Sequence, residues 1–296
     1  MLKTLVNYGD LMKTNKKMKF YKICGFVVAV LSVLCVVVLW QGLTVHLYTE
    51  TTDKVEKTIR IAVLTDLHDT FYGKKQKRLI KSIQKQKPDI VVLVGDIADD
   101  NRSHDGTEQL LSAIGKQYPC YYVSGNHEYL SGKIDEIKEM IRSCGVTVLE
   151  GNAEILNVNG QKIRLCGVDD LYRFIYKYSN SDRSGSWQEQ LDACKAETGD
   201  DVYSVLLSHR PELAEKYRNS GFDLVIAGHA HGGQVRIPWL LKGLIAPNQG
   251  WFPKYTSGIY VLGTTDMLVS RGLCKNKRPR VFNPPELVVV DIEPQK

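Results

Sequence analysis

LVIAGHAHGGQ, residues 224–234, joins a short apolar run to two histidines one residue apart. Residues i and i+2 of an extended strand share a face, but their side chains stand side by side and do not converge. For His229 and His231 to point at one small volume, the backbone must bend. The surrounding glycines make that bend easy, because glycine reaches left-handed conformations without steric cost. The stretch predicts either a buried strand that ends in a loop presenting two imidazole rings, or an ordinary turn that contains histidine.

Four other apolar runs resemble the one before His229, and all are rich in the β-branched and aromatic residues typical of buried strands. The five runs are 58–66, 89–96, 120–127, 203–209 and 223–229. Helix-like segments lie between them at about 74–87, 107–117, 132–143, 187–195 and 211–219, and further strand-like runs occupy 145–149, 154–158, 162–167, 258–262, 266–270 and 286–292. This alternation predicts an α/β layered domain with two packed sheets. Residues 171–186 are expected to form a long loop near a site.

Polar side chains follow each of the five runs at its C-terminal end. They are Asp66 and His68 after the first, Asp96 after the second, Asn126 and His127 after the third, His209 after the fourth, and His229 and His231 after the fifth. Ligands of α/β sheets bind beyond the carboxyl ends of the strands, so these groups are expected to meet at one edge. Five of the seven histidines in the chain occupy these positions. Histidines without a shared role would be expected to be scattered along the chain.

Asp, Asn and His without Cys form an oxygen and nitrogen ligand set, which suits Mn, Fe, Zn, Co or Ni better than it suits thiolate-preferring ions. The candidates are too many for one four-coordinate zinc ion. Two divalent ions about 3.5 to 4 Å apart would use all of them and would form a clamp for in-line attack at phosphorus. Because two aspartates would not neutralise two such ions, the site is predicted to attract an anionic substrate.

The motifs DLH, GD, GNHE, SH and GHAH, in this order and spacing, resemble those of the calcineurin-like metallophosphoesterases over about residues 58–293. The resemblance implies a four-layer α/β/β/α sandwich with a dinuclear metal site. It implies that one metal is held by Asp66, His68 and His231, that the other is held by Asn126, His209 and His229, and that Asp96 bridges the two. His127 corresponds to the family's non-ligand histidine, which would stabilise charge on phosphate or protonate the leaving oxygen. The nucleophile would be a metal-bridging hydroxide, with no covalent enzyme intermediate.

Departures from the wider superfamily narrow the function. Its protein Ser/Thr phosphatases carry an arginine shortly after the second motif, where GDIADDN has Asp100, and this argues against protein phosphatase activity. HGGQVRIP and the C-terminal VSRGL and RPRVFNPPELVVVDI resemble a bacterial membrane-associated branch that includes UDP-diacylglucosamine hydrolases. That branch implies cleavage of a phosphodiester or a pyrophosphate, with lipid-linked or nucleotide-sugar phosphates as candidate substrates. Arg210, Gln234 and Arg236 lie next to ligand positions and are candidate contacts for phosphate oxygens.

Two other functions stay open. A metal-bound, non-catalytic sensing or interaction domain would be expected to have lost ligands or the acid, and none is missing here. A nuclease of the same superfamily would be expected to carry a basic binding stripe. The chain has a formal net charge of +6, most of it supplied by six lysines and one aspartate before residue 23, so the remaining body is nearly neutral and no nucleic-acid partner is expected.

An uncharged apolar run, ICGFVVAVLSVLCVVVLW at 23–40, follows the basic N-terminus. A core helix of a soluble protein is rarely so uniformly apolar, and a signal peptide has a shorter apolar core with a small-residue cleavage site. We therefore predict a basic cytoplasmic segment over 1–22, an uncleaved transmembrane anchor over 23–43, a linker over 44–57 and the metallophosphoesterase domain over 58–293. The flanking lysines predict a single-pass cell-membrane protein with its catalytic domain on the extracytoplasmic side.

The body contains an odd number of cysteines and no C-x-x-C spacing: Cys120, Cys144, Cys166, Cys194 and Cys274. Buried free thiols are the expected state, because cysteine packs as a small apolar side chain, although the sequence does not fix the redox state. Metal identity, with Mn, Zn and Fe as candidates, and oligomeric state are left open in the same way.

Overall fold

The computed structural model describes residues 2–175, 184–195, 201–275 and 279–295. The chain divides into two compact units, Met1–Trp40 and Gln41–Lys296. The first unit is helix α1 (Leu2–Val38), and its segment Met18–Val38 has 21 residues and is long and apolar enough to cross a membrane. Helix α1 ends at Val38, before residue 43, the predicted end of the anchor.

Two six-stranded mixed sheets form the frame of the second unit. The first consists, in spatial order, of β1 (Thr44–Thr52), β14 (Glu286–Pro294), β2 (Ile59–Leu64), β3 (Ile90–Val94), β4 (Cys120–Val123) and β5 (Thr147–Val148). The second consists of β12 (Gly258–Leu262), β13 (Thr265–Val269), β9 (Leu224–Ala227), β8 (Tyr203–Leu207), β7 (Gln161–Gly167) and β6 (Asn152–Val158). Strands β2 to β5 are parallel in the first sheet, and β7, β8, β9 and β13 are parallel in the second.

The two sheets pack face to face, and helices cover their outer faces. Ile61, Val92, Val205 and Ile226 belong to the buried apolar cluster between the sheets. The outer face of the first sheet packs against α2 (Lys77–Gln86), α3 (Asp105–Ile114) and α5 (Ile134–Ser143), and that of the second packs against α7 (Trp187–Cys194) and α8 (Ala214–Tyr217). The mixed α/β sandwich expected from the sequence is therefore confirmed, with helix, sheet, sheet and helix layers.

Residues 44–57 are not only a linker, and that expectation is corrected. Residues 44–52 form edge strand β1, which pairs in parallel with β14 from Thr44 opposite Glu286 to Thr52 opposite Pro294. Half-buried and exposed residues alternate along β1, because an edge strand there has only one covered face. Its sequence, TVHLYTETT, consequently lacks the continuous apolar run by which the central strands were recognised.

Short elements between the main ones were also not foreseen. Helix α4 (Asn126–Leu130) begins where the predicted strand over 120–127 was expected to continue, since β4 ends at Val123. Helix α6 (Tyr172–Ile175) falls inside the predicted loop over 171–186, of which residues 176–183 lie outside the described part of the chain. Strands β10 (Ile245–Ala246) and β11 (Gly250–Trp251) form a separate small hairpin after the histidine motif.

Candidate metal centre

The candidate ligands lie at one edge of the sandwich, because the strands that precede them end there. β2, β3 and β4 run in parallel in one sheet, and β8 and β9 run in parallel in the other. Each ligand follows the last residue of its strand within four positions or fewer, and the set is Asp66, His68, Asp96, Asn126, His209, His229 and His231. All seven are buried, with side chains directed into the protein and not to solvent.

Asp96 lies between two groups of histidines. Its Oδ2 atom is 3.1 Å from His209 Nε2 and 3.7 Å from His68 Nε2. Asp66 Oδ1 is 3.9 Å from both His209 Nε2 and His231 Nε2. Ligand atoms of Asp96, His209 and His229 all lie within 4.8 Å of one another, so three strand ends converge there.

The second group of rings forms around His68. Its ring centroid is 5.5 Å from that of His231 and 4.5 Å from that of His127. Asn126 begins helix α4, and the next backbone N–H, that of His127, donates a 2.8 Å hydrogen bond to Asp96 Oδ1. The main chain of the third motif is thereby fixed against the aspartate of the second.

Several of these side chains hold buried polar atoms that have no hydrogen-bond partner. Five such atoms are His68 Nε2, Asp96 Oδ2, Asn126 Oδ1, His209 Nε2 and His229 Nδ1. Leaving one buried polar atom unsatisfied costs about 1–3 kcal/mol, so a group of five at one point is expensive unless something binds them. Imidazole nitrogen, carboxylate and carboxamide oxygen are the ligand types of first-row divalent metals, so these residues fit a metal centre.

The ring nitrogens that point away from this group are held by other atoms of the chain. His209 Nδ1 lies 2.9 Å from the Val94 carbonyl oxygen, and His229 Nε2 lies 2.9 Å from Asn248 Oδ1. His231 Nδ1 lies 3.2 Å from Cys274 Sγ. Such outer contacts fix the orientation and tautomer of a ligating histidine, so the opposite nitrogen is presented to the centre.

Local backbone strain accompanies the candidate ligands. Left-handed φ values occur at Asp66 (49°), His68 (46°), Asp96 (53°), His229 (63°) and His231 (46°). Non-glycine residues rarely adopt this region, and each instance costs of order 1–3 kcal/mol, which is tolerated mainly at functional sites. Residue 228 in the histidine motif also has to be glycine for a steric reason. A Cβ atom there would lie 2.6 Å from Asp66 Oδ2 and would clash with this candidate ligand.

Glu128 connects the backbones of the GD and GNHE motifs through hydrogen bonds. Its Oε1 atom accepts hydrogen bonds from the backbone N–H groups of Ile97 (2.7 Å) and Ala98 (3.2 Å). Its Oε2 atom accepts from those of Asp96 (3.1 Å) and Gly125 (2.9 Å). A single fully buried carboxylate thus ties together the two turns that carry Asp96 and Asn126.

The electrostatics of the centre favour added positive charge. Burial raises the pKa of Asp66, and the neighbouring Asp96 raises it further. Burial lowers the pKa of His209, but the contact with Asp96 outweighs this and raises it to about 10. Burial and nearby cations hold the pKa values of His229 and His231 well below the ordinary histidine value. Asp96 thus holds a proton on His209, and a metal ion bound there would take the place of that proton, while the rings of His229 and His231 are neutral and available as ligands.

His127 differs from the other histidines because its side chain is 32% exposed. Its Nδ1 atom lies 2.9 Å from Asp100 Oδ1, so the carboxylate fixes the ring with Nε2 on the opposite side. The adjacent Asp99 places Oδ2 3.4 Å from His68 Nδ1. Asp99 and Asp100 thus orient one histidine each at the mouth of the centre.

Arg210 has a different environment from the one expected of a substrate contact. It is 2% exposed, and Asp170 accepts from its Nε at 2.5 Å and from its Nη2 at 2.8 Å. Its Nη1 donates to Asn248 Oδ1 at 2.9 Å, so Arg210 supports the amide that contacts His229. Its donors are thus largely occupied within the protein.

The other two candidate substrate contacts are half-buried. Gln234 Oε1 is a buried atom without a hydrogen-bond partner, directly after the histidine turn. Arg236 Nη1 donates to the Gly232 carbonyl oxygen at 3.2 Å, and burial lowers the pKa of this guanidinium. Both residues are therefore close to the turn that carries His231, but neither contact identifies a substrate group.

Sequence reasoning missed the supporting residues Asp99, Glu128, Asp170, Asn248 and Cys274. Asp99 and Glu128 belong to the quoted motifs GDIADDN and GNHE, so their position next to ligands was a usable signal. Asp170, Asn248 and Cys274 are distant along the chain from the groups they contact, and only the fold brings them together.

Comparison with known proteins places these observations in a family. The profile described as Calcineurin-like phosphoesterase matches residues 59–233, more than half of the chain. The uncharacterized metallophosphoesterase Cj0846 of Campylobacter jejuni is 32% identical over 250 residues, covering 82% of this chain and 61% of the relative. The uncharacterized metallophosphoesterase YkuE of Bacillus subtilis is 29% identical and covers 79% of each chain. Phosphodiesterase YaeI of Escherichia coli is 27% identical, covering 70% of this chain and 72% of its own length. The chain thus spans less than two thirds of the Campylobacter protein.

Proposed function

The chain belongs to the calcineurin-like phosphoesterase family of metal-dependent phosphoester hydrolases, and we propose that it is a membrane-anchored phosphodiesterase or pyrophosphatase that uses two divalent metal ions. The observation that carries the proposal is the group of buried, unpartnered nitrogen and oxygen atoms at the ends of five strands. A metal-bound but non-catalytic domain would share this group, so turnover has to be tested directly.

In this proposal, Asp66, His68 and His231 hold one ion, and Asn126, His209 and His229 hold the other. Asp96 is shared, in keeping with its distances of 3.1 Å and 3.7 Å to histidines of the two groups. When bound, the ions would supply Lewis-acid polarisation of phosphoryl oxygens and would lower the pKa of water. Mn, Zn and Fe all suit the ligand types.

His127 is proposed as the catalytic acid. Asp100 orients its ring through Nδ1, which leaves Nε2 as the nitrogen able to donate a hydrogen bond or a proton to the leaving oxygen. Its partial exposure lets it exchange protons with solvent, unlike the buried candidate ligands. Asp100 acts through His127 and is a positioning residue.

The charge of Asp100 also supports a phosphodiester over a phosphomonoester. A phosphodiester carries one negative charge near neutral pH, whereas the phosphoryl group of a monoester carries up to two, so a carboxylate at the mouth disfavours the monoester more. Arg210, which would otherwise attract a dianion, is engaged by Asp170. The relative YaeI is named a phosphodiesterase, which agrees with this preference. Lipid-linked and nucleotide-sugar phosphates are the proposed substrate classes.

We also propose that Met18–Val38 crosses the cell membrane, with the basic N-terminus in the cytoplasm and residues 44–294 forming the catalytic domain outside. Protease added to sealed, right-side-out vesicles should then degrade the domain without prior lysis. Protection of the domain until the vesicles are lysed would contradict this orientation.

The catalytic proposal is tested with the purified full chain in detergent. Bis(p-nitrophenyl) phosphate, p-nitrophenyl phosphate and a nucleotide-sugar pyrophosphate are assayed with Mn, Zn or Fe added, and with chelator. We expect metal-dependent turnover that is faster for the diester than for the monoester. Asp96→Asn should lower it by roughly a thousandfold or more, because a shared ligand positions both ions.

Asp192→Asn is the matched control, since that carboxylate is 52% exposed in α7 and should leave turnover unchanged. Metal binding without turnover of any phosphate ester would favour the non-catalytic alternative. Cleavage of DNA or RNA in preference to the small diesters would favour a nuclease.

A further inference from the structure

A protruding segment after the histidine motif exposes large apolar side chains. Within residues 235–254, which we call the aromatic protrusion, the relative exposure is 105% for Trp239, 80% for Leu240, 67% for Trp251 and 69% for Phe252. Soluble proteins tolerate single exposed apolar residues, but two exposed tryptophans with neighbouring phenylalanine and leucine in one segment indicate a surface for binding.

The exposure results from a defined backbone. Ile237 and Leu241 exchange N–H···O=C hydrogen bonds of 2.9 Å and 2.8 Å, which closes a tight turn with Trp239 at φ 64° at its tip. The second pair of aromatic residues, Trp251 and Phe252, belongs to the β10–β11 hairpin, where the Phe252 N–H donates to the Leu244 carbonyl at 2.8 Å. Backbone strain of this kind is tolerated mainly at functional positions, which agrees with a role for the exposed indole.

The charge of the segment identifies the partner. No aspartate or glutamate occurs from residue 231 to 265, whereas Arg236, Lys242 and Lys254 do, and Lys254 is exposed. Tryptophan and phenylalanine beside lysine are the composition by which proteins enter the interface of an anionic bilayer: the indole settles at headgroup level and the ammonium group meets phosphate. The same chain has an apolar segment, Met18–Val38, long enough to cross a membrane.

The aromatic protrusion is connected directly to the candidate centre. The Leu244 N–H donates to the Gly233 carbonyl at 2.9 Å, two residues after His231. Asn248, in the turn of the hairpin, contacts His229 Nε2 at 2.9 Å. Binding of the protrusion to a surface would therefore hold the edge that carries the candidate ligands close to that surface.

We infer that the aromatic protrusion docks onto the anionic phospholipid surface of the membrane and presents the metal centre to phosphate groups at headgroup level. The docking is inferred from the exposed residues of the protrusion and does not depend on the proposed function. The consequence that the substrate is a phosphodiester or pyrophosphate of a lipid rests on the function proposed above. Docking by the protrusion gives the domain a second contact with the bilayer beyond its anchor, and with it a fixed orientation.

Tryptophan quenching tests the docking in the full chain. The protein is reconstituted into vesicles of phosphatidylcholine and phosphatidylglycerol with or without brominated acyl chains, which quench indoles that enter the bilayer. Trp239→Phe should remove a quenched component of the emission. Trp187→Phe is the matched control, because Trp187 is 6% exposed in the core and its loss should remove only unquenched emission.

The docking is refuted if Trp239→Phe and wild type show the same quenched emission. If Trp239 is not quenched and the aromatic protrusion cross-links to another protein, the partner is that protein and not the membrane.

A second measurement separates docking from substrate class. The double variant Trp239→Ser/Leu240→Ser is compared with wild type on a p-nitrophenyl phosphodiester of a dialkylglycerol in the same vesicles and on soluble bis(p-nitrophenyl) phosphate. We expect about a tenfold lower rate on the lipid ester, because interfacial binding is lost, and an unchanged rate on the soluble ester. Val261→Ser, at another apolar residue that is 73% exposed, should change neither rate.

Equal rates of the double variant and wild type on both esters would reject the lipid substrate while the quenching still reports docking. If wild type turned over neither the lipid ester nor the soluble ester, the result would instead count against the proposed catalytic function.

Discussion

Glu128→Gln is the substitution whose effect the structure predicts most directly. Each carboxylate oxygen of Glu128 accepts two backbone N–H groups, so both orientations of a glutamine amide place its NH₂ group against two donors. Leaving two buried N–H groups unsatisfied costs about 1–3 kcal/mol each, which gives a loss of roughly 2–6 kcal/mol in the free energy of unfolding. For a domain of this size, that corresponds to a fall in Tm of about 5–20 °C.

The assay is thermal unfolding of the metal-free full chain in detergent, followed by metal titration. The same turns carry Asp96 and Asn126, so the affinity for divalent metal should fall about 10- to 100-fold as well. Glu108→Gln, at an exposed carboxylate in α3, is the control and should shift Tm by no more than about 2 °C. A Glu128→Gln protein with the Tm of that control would refute the bracing role and the reasoning from unsatisfied N–H groups.

Four further substitutions probe the other parts of the site and the edge strand. Asp96→Ala should lose metal and activity together. His127→Ala should keep its metal content, measured by elemental analysis, and lose about 10²- to 10⁴-fold in kcat, as expected of an acid that is not a ligand. Equal loss of metal in both variants would make His127 a ligand. Asp100→Asn should lower kcat about 10- to 100-fold at unchanged metal content, because an ionic hydrogen bond to His127 becomes a neutral one, and an unaltered kcat would remove Asp100 from the mechanism. Burial and the neighbouring Asp266 carboxylate raise the pKa of Glu50 to about 7. The folded protein therefore holds this proton more tightly than the unfolded chain, and the associated stability is lost as pH rises from about 4.5 through about 7. Thermal melts at pH 5 and pH 8 should show that the free energy of unfolding of Glu50→Gln rises by about 1–2 kcal/mol relative to that of wild type over this interval. This figure is reduced because Glu50 is partly exposed. The same difference between variant and wild type at both pH values would contradict the assigned pKa.

The central strands could be recognised from sequence because both of their faces are covered. β3 and β9 are uninterrupted apolar runs with every residue buried, and the loops after them begin with the polar residues of the site. β1 has one exposed face at the edge of its sheet, and its alternating polar sequence resembles that of a linker. Its pairing with β14, more than two hundred residues later, depends on the closed fold and not on any local pattern.

The candidate ligands and the groups that support them differ in the same way. Asp66, Asp96 and His209 each follow an apolar run, so the rule that sites form beyond strand ends was sufficient to select them. Arg210 also follows such a run, but its buried ion pair with Asp170 is a contact between segments forty residues apart. Sequence position indicated a phosphate contact, whereas the fold places the guanidinium among acceptors that occupy it.

Anomalous diffraction from crystals of the full chain grown with Mn, combined with elemental analysis, is the decisive test of the dinuclear centre. We predict two metal equivalents per chain and two peaks about 3.5 to 4 Å apart with Asp96 between them. One peak should contact His68 and His231, and the other His209 and His229. A single peak, no peak, or metal bound away from Asp96 would contradict the dinuclear centre and the hydrolytic function proposed from it.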